Sequence, residues 1–130
     1  MSKNIKLDKF YTPKDTAKRC IDLFCDTFFE ISEIIEPSAG KGNFSLQIPN
    51  CIAYDLEPEH ERIIKQDFLK LELPYKKNRA FIGNPPFGRQ SSLAIKFIKK
   101  SCEFGDSVSF ILPKSFKKNS QLGKNLSVTF

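Results

Sequence analysis

The stretch "RAFIGNPPF", residues 79–87, sets the frame for the whole chain. Ala80, Phe81 and Ile82 form an apolar run that enters Gly83-Asn84-Pro85-Pro86-Phe87 without a polar break. Two adjacent prolines can neither extend a helix nor donate to a sheet ladder. The run therefore reads as a buried strand, and the five residues after it as a fixed shape outside regular structure.

Working outward, similar units recur. "TPKDTAKRCIDLFCDTFF" (12–29) opens on a helix-start signal, Thr12-Pro13. Its apolar positions Ala17, Cys20, Ile21, Phe24, Cys25 and Phe28 keep helical spacing. "ISEIIEPSAGKGNF" predicts a strand over about 31–36 that runs into a Pro/Gly loop. "CIAYDLEP" (51–58) reads as a second strand, "RIIKQDFL" (62–69) as a third and the opening stretch as a fourth. "SSLAIKFIKKSCEF" (91–104) carries a helical stripe, and "DSVSFILP" (106–113) is a fifth strand closed by Pro113. Short apolar strands alternating with helices predict an α/β fold: an open, mostly parallel sheet with helices on both faces. Ligands of such sheets sit beyond the carboxyl ends of the strands. Gly40, Gly42, Asp55, Asp67 and the 84–87 segment all fall there.

Composition sets outer limits. The chain has 130 residues, 40% hydrophobic and 28% charged, which suits one globular domain over 1–130 with a single core. No apolar run approaches the roughly 20 residues of a membrane helix. "MSKNIKLDKF" lacks the apolar centre of a secretion signal, so an intracellular location is expected. Cys20, Cys25, Cys51 and Cys102 show neither a CxxC pair nor metal-ligand spacing, and are read as reduced, buried thiols. Charge is uneven. Residues 1–65 hold 9 Lys/Arg against 11 Asp/Glu, while residues 66–130 hold 12 against 4. A basic second half suits a polyanionic partner or, equally, a solvated lysine surface.

The glycine loop "EPSAGKGNFS" (36–45) fails two phosphate-binding templates. A P-loop needs Gly where Ile35 stands and Ser or Thr where Gly42 stands. A GxGxxG fingerprint starting at Gly40 needs Gly in place of Ser45. What remains is a tight Gly-x-Gly turn, either a plain turn or one that lets a ligand approach the backbone. Asp55 is placed either to accept from two ribose hydroxyls or to end a strand in solvent.

Taken in order, Thr12-Pro13, Glu36-Pro-Ser-Ala-Gly-Lys-Gly42, Asp55, Asp67-Phe68 and Asn84-Pro-Pro-Phe87 resemble an S-adenosylmethionine-dependent amino-methyltransferase of the N6-adenine type. The signature of that family is (Asn/Asp)-Pro-Pro-(Phe/Tyr/Trp), and the resemblance covers about residues 9–116. It implies a Rossmann-like class I methyltransferase core. It places Tyr11 and Thr12 near the methionine carboxylate of the cofactor, where a helix N-terminus suits an anion. Glu36, Ser38, Ala39 and Gly40 would line the methionine and ribose, and Asp55 would take the ribose hydroxyls. Asp67 would accept from the adenine amine with Phe68 beside it; the other reading of Asp67 is a turn residue.

The resemblance also gives the Asn-Pro-Pro-Phe segment a chemistry. The nucleophile is an exocyclic amine whose lone pair is delocalised into a ring, so there is no basic nitrogen to deprotonate. Two acceptors on the amine hydrogens would pull the nitrogen toward a tetrahedral form. Asn84 would supply one through its amide oxygen and Pro85 the other through its carbonyl, aimed because Pro86 restricts the residue before it. Phe87 would offer a stacking face, or else pack in the core. A base in a duplex would have to be flipped out to reach it. His60, the only histidine, reads as a solvent-facing helix residue. Lys99, Lys100, Lys114, Lys117 and Lys118 follow the motif and are placed either to grip phosphates or, each singly, to form a solvated face, with DNA and RNA both open as partners. "FILPKSFKK" (110–118) resembles viral and cap-adenosine relatives.

The resemblance implies seven strands, of which the last two, an antiparallel hairpin, and a target-recognition region are expected to be missing from these 130 residues. A fragment, a truncated reading frame and a minimal module working with a partner chain are all open. Two other functions also stand: methylation of another amine or amide, such as guanine or protein glutamine, and a non-catalytic nucleic-acid-binding remnant.

Overall fold

The computed structural model describes residues 11–27 and 30–113. Helix α1 (Lys14–Thr27) is followed by strands β1 (Glu33–Glu36), β2 (Ile52–Asp55), β3 (Ile64–Lys65) and β4 (Arg79–Gly83). Helix α2 (Ser92–Phe104) then leads into β5 (Ser107–Phe110). Single 3-10 turns lie at Ser45–Gln47, Phe68–Lys70 and Arg89–Ser91. Every pairing in the five-stranded sheet is parallel, in the order β3-β2-β1-β4-β5. The α/β class read from the sequence is therefore what the described residues form. None of their helices is long and apolar enough to cross a membrane.

The apolar run that opened the sequence reading is the strand with the most cover. All five residues of β4 are buried, because it lies between β1 and β5 and has a layer on each face. Phe81 points into one cluster with Ile35, Phe68 and the α2 residues Phe97, Ile98 and Phe104. Ala80 and Ile82 point the other way, onto Ala17, Ile21 and Phe24 of α1 and onto Phe44 and Ile48. A strand covered on both faces cannot alternate polar and apolar residues, which is why its sequence is continuous.

One corner is pinned by a buried cation. Arg79, 5% exposed, donates from Nε to Glu33 Oε2 at 2.7 Å. Its Nη1 donates to the carbonyls of Pro74 (2.7 Å) and Phe104 (3.0 Å). The α2–β5 turn closes on the same residue, with the Asp106 amide donating to the Arg79 carbonyl at 2.8 Å. A Cβ on Gly105 would come within 2.5 Å of that carbonyl, so only glycine fits there.

Four expectations are corrected. The third strand, expected over 62–69, is two residues long, because Asp67 accepts from the Leu69 amide (3.0 Å) and starts a 3-10 turn instead. His60 lies in a turn and not in a helix, half-buried, its Nδ1 accepting from the Arg62 amide. Cys25 and Cys102 are exposed, and Cys20 and Cys51 only half-buried. Lys100 is not a free cation: its Nζ donates to the Leu69 carbonyl at 2.6 Å and lies over the Phe104 ring. Lys114, Lys117 and Lys118 lie outside the described residues.

Candidate active site

The strand order reverses between β1 and β4, and ligands of open parallel sheets bind beyond the carboxyl ends at such a point. Here β1 runs into the glycine turn and β4 into Asn84-Pro85-Pro86-Phe87. Gly40 (φ 59°) and Gly42 (φ 89°) take the left-handed conformation that bends the chain back. The turn is tied to β2 by the Ala39 amide, which donates to the Tyr54 carbonyl at 2.8 Å.

Asp55 ends β2 under this turn. Its Oδ2 accepts from the Gly40 amide at 2.6 Å and its Oδ1 from the Glu57 amide at 3.0 Å. Each carboxylate oxygen can accept more than one hydrogen bond. Two cavities meet at this residue. The first is lined by Tyr11, Thr12, Glu36, Ser38, Ala39, Gly40, Asp55 and Asn84, and by Lys41, Asn43 and Phe44. The second shares Ser38 and Asp55 and continues past Gln66, Asp67 and Phe68 to Pro86, Leu93 and Phe97. The first has many polar groups along its wall, whereas the second is mostly apolar with Asp67 and Gln66 at its polar edge.

Two lining residues of the first cavity, Tyr11 and Lys41, are linked to each other and to Glu59. The Tyr11 hydroxyl donates to Glu59, which raises the Tyr11 pKa to about 12. Lys41 Nζ lies 4.5 Å from the centre of the Tyr11 ring, a cation–π distance. Glu59 in turn donates its amide to the Gly40 carbonyl at 3.1 Å.

Glu36 is the buried acid of the site, 2% exposed, with Oε1 accepting from the Ser45 amide at 3.0 Å. Burial, and to a lesser degree the nearby Asp55 charge, push its carboxyl up to about 8. Gly83 is the space it occupies, since a Cβ there would lie 3.0 Å from Glu36 Cγ and Oε2. Its position is that of an internal brace beneath the glycine turn as much as of a lining residue.

Of the thirteen site residues expected within the described region, eight line the first cavity and two more, Asp67 and Phe68, the second. Pro86 also reaches the second cavity. Phe68 is mainly a core residue, 1% exposed, with rings of Phe97, Phe81 and Phe104 within 5.3–6.4 Å. Pro85 and Phe87 line neither cavity. Phe87 is half-buried against the α2 cluster, and its carbonyl accepts from Leu93 and Ala94 at the start of α2. Lys41 and Asn43 were not anticipated as site residues; their place inside the glycine turn was the available signal.

Asn84 is held from the other side. Its Nδ2 donates to Thr12 Oγ1 at 3.1 Å, while the Thr12 carbonyl accepts from Asn43 Nδ2 at 2.6 Å. Among the described residues no donor reaches Asn84 Oδ1 or the Pro85 carbonyl. Compared with known protein families, with curated proteins and with solved structures, the chain matches none.

Proposed function

We propose that this chain is the Rossmann-like core of an S-adenosylmethionine-dependent methyltransferase acting on the exocyclic amine of adenine in DNA or RNA. The observation that carries the reading is the pair of cavities joined at Asp55, with Asn84 on the wall of the first and Pro86 on the wall of the second. The residues present fit the cofactor. Asp55 stands where the two cavities meet, and a carboxylate is the kind of acceptor that a pair of ribose hydroxyls needs. The apolar second cavity, with Asp67 and Gln66 at its edge, suits a purine with one amine.

When bound, the cofactor supplies an electrophilic methyl group. The protein's own contribution is alignment. Asn84 Oδ1 and the Pro85 carbonyl each accept a hydrogen of the target amine, which localises the nitrogen lone pair. No general base is needed before transfer, because the nitrogen sheds its proton to solvent only after it is methylated, which agrees with a segment holding no His or Lys between 80 and 88. The basic character of residues 66–130 supports a nucleic-acid substrate.

Incubation with isotope-labelled S-adenosylmethionine and separate pools of DNA, RNA and protein, read by mass spectrometry, tests the reading. Label on adenine of a nucleic acid is expected. Label on guanine or glutamine would move the chain to another acceptor. Cofactor binding by calorimetry without label in any pool would make it a non-catalytic remnant.

A further inference from the structure

We propose that Thr12 is a positioning residue that decides which end of the Asn84 amide faces the target amine. The catalytic consequence rests on the methyltransferase reading; the hydrogen bond itself does not.

An asparagine amide carries an acceptor oxygen and a donor NH2 of nearly the same size. Only the oxygen is useful against an amine hydrogen; a flipped amide would set donor against donor. Nothing within Asn84-Pro85-Pro86-Phe87 chooses between the two, because both prolines lack an amide N–H. The choice comes from 72 residues away in the chain, where Thr12 Oγ1 accepts from Asn84 Nδ2.

A hydroxyl can donate as well as accept, so the direction of this bond depends on the hydroxyl's own proton. Thr12 is 7% exposed, and the polar first cavity is where its side chain meets ligand or solvent. An acceptor in that cavity receives a hydrogen bond from the Thr12 hydroxyl, which leaves the oxygen lone pairs for Asn84 and turns Asn84 Oδ1 toward the substrate. Thr12 is itself fixed twice: Pro13 leads straight into α1, and Asn43 of the glycine turn donates to its carbonyl. Helix start, glycine turn and strand end thus meet on one side chain. The occupant of the first cavity and the orientation of the amine acceptor are coupled through it.

Thr12→Val keeps the shape and removes the acceptor, and Thr12→Ser restores it. The first readout is the Asn84 side-chain NH2 pair in a nitrogen-15 spectrum, assigned by its loss in Asn84→Asp. Wild type and Thr12→Ser should show one hydrogen-bonded proton, shifted and slow to exchange with water; Thr12→Val should lose both features. The second readout is methyl transfer. Thr12→Val should lower kcat about 10-fold, the cost of one lost hydrogen bond, with Thr12→Ser within about 3-fold of wild type. In an Asn84→Ala background the same substitution should lower kcat no further. An Asn84 signal unchanged in Thr12→Val, or losses from the two sites that simply add, would overturn the proposal. If wild type transfers no methyl group at all, the enzymatic reading fails, while the spectrum still decides the Thr12–Asn84 bond.

Discussion

The Gly40 amide donates to Asp55 Oδ2 at 2.6 Å, so the glycine turn and the end of β2 are one unit. The carboxylate that would take a ribose also holds the turn that would cradle the rest of the cofactor. Asp55→Ala should therefore act twice. Calorimetry should show S-adenosylmethionine affinity falling by roughly 10–100-fold, as two hydroxyls lose their acceptor at about 1–3 kcal/mol. The melting temperature should fall as well, because the Gly40 and Glu57 amides lose their partner. Equal cofactor affinity in variant and wild type would rule out the ribose role, whatever happened to stability.

Glu36 predicts an unusual pH dependence. Its carboxyl is raised from 4.5 to about 8, chiefly by burial. A folded-state pKa above the unfolded one gives stability that is complete below pH 4.5 and declines as pH rises toward 8, because the unfolded chain releases the proton first. The decline should be on the order of a few kcal/mol. Glu36→Gln keeps an oxygen for the Ser45 amide and cannot ionise. Its melting temperature should be flat over this window and should exceed that of wild type at pH 8. Parallel curves for the two proteins would show that Glu36 titrates normally.

The sheet was legible because its strands are short apolar runs stopped by Gly, Pro or Asp, and β4 shows this most clearly. Asn84, Asp55 and the glycine turn stood out for a related reason. They are residue types that regular elements reject, placed where strands end. What stayed hidden depends on partners distant in sequence. Nothing local marks Glu36 as more buried than Glu33, since the difference is the space left by Gly83, 47 positions on. In the sequence Thr12 is a helix-start residue near an anion; its bond to Asn84 follows only once β4 lies beside α1. The third strand was overestimated because Ile63, Ile64, Phe68 and Leu69 look alike as apolar residues. Asp67 between them caps a turn, a local hydrogen bond that competes with the ladder.

Arg79 predicts the opposite pH limb from Glu36. Burial pulls the Glu33 carboxyl up, but hydrogen bonds and charge from Arg79 and Lys76 pull it further down, to a net value below 4.5. Stability from this pair is thus present above pH 4.5 and lost as pH falls through the lowered value. Arg79→Met should cost about 2–4 kcal/mol in urea unfolding at neutral pH, since it strands two carbonyls and Glu33, which is only partly shielded from water. It should also flatten the acid limb. A loss under about 0.5 kcal/mol, the range of ordinary surface changes, would mean the corner is held by packing alone.

Nucleic-acid affinity should weaken steeply with salt, because each neutralised phosphate releases counterions. Replacing Lys114, Lys117 and Lys118 with glutamate should reduce the slope of log affinity against log salt by about 2–3. Binding indifferent to salt between low and physiological concentration would exclude the basic half as the contact surface.

Asn84 gives the most direct test of the chemistry. Cofactor affinity should be nearly unchanged in Asn84→Ala, because Asp55, Asp67 and the glycine turn lie elsewhere on the cavity walls. Methyl transfer should fall by about 10²–10³-fold, the usual loss when one preorganised hydrogen bond acts mainly in the transition state. Asn84→Asp should do less harm at the amine, since a carboxylate also accepts. It would, however, set an acceptor against Thr12 Oγ1, so the Thr12 hydroxyl must turn to donate. Cofactor affinity should then fall in Asn84→Asp and not in Asn84→Ala, a reversal of the order expected for kcat. Phe87→Ala should lower the melting temperature, because its ring packs on the α2 cluster. Wild-type turnover in Asn84→Ala would overturn the mechanism, and equal cofactor affinity in all three Asn84 proteins would break the link through Thr12.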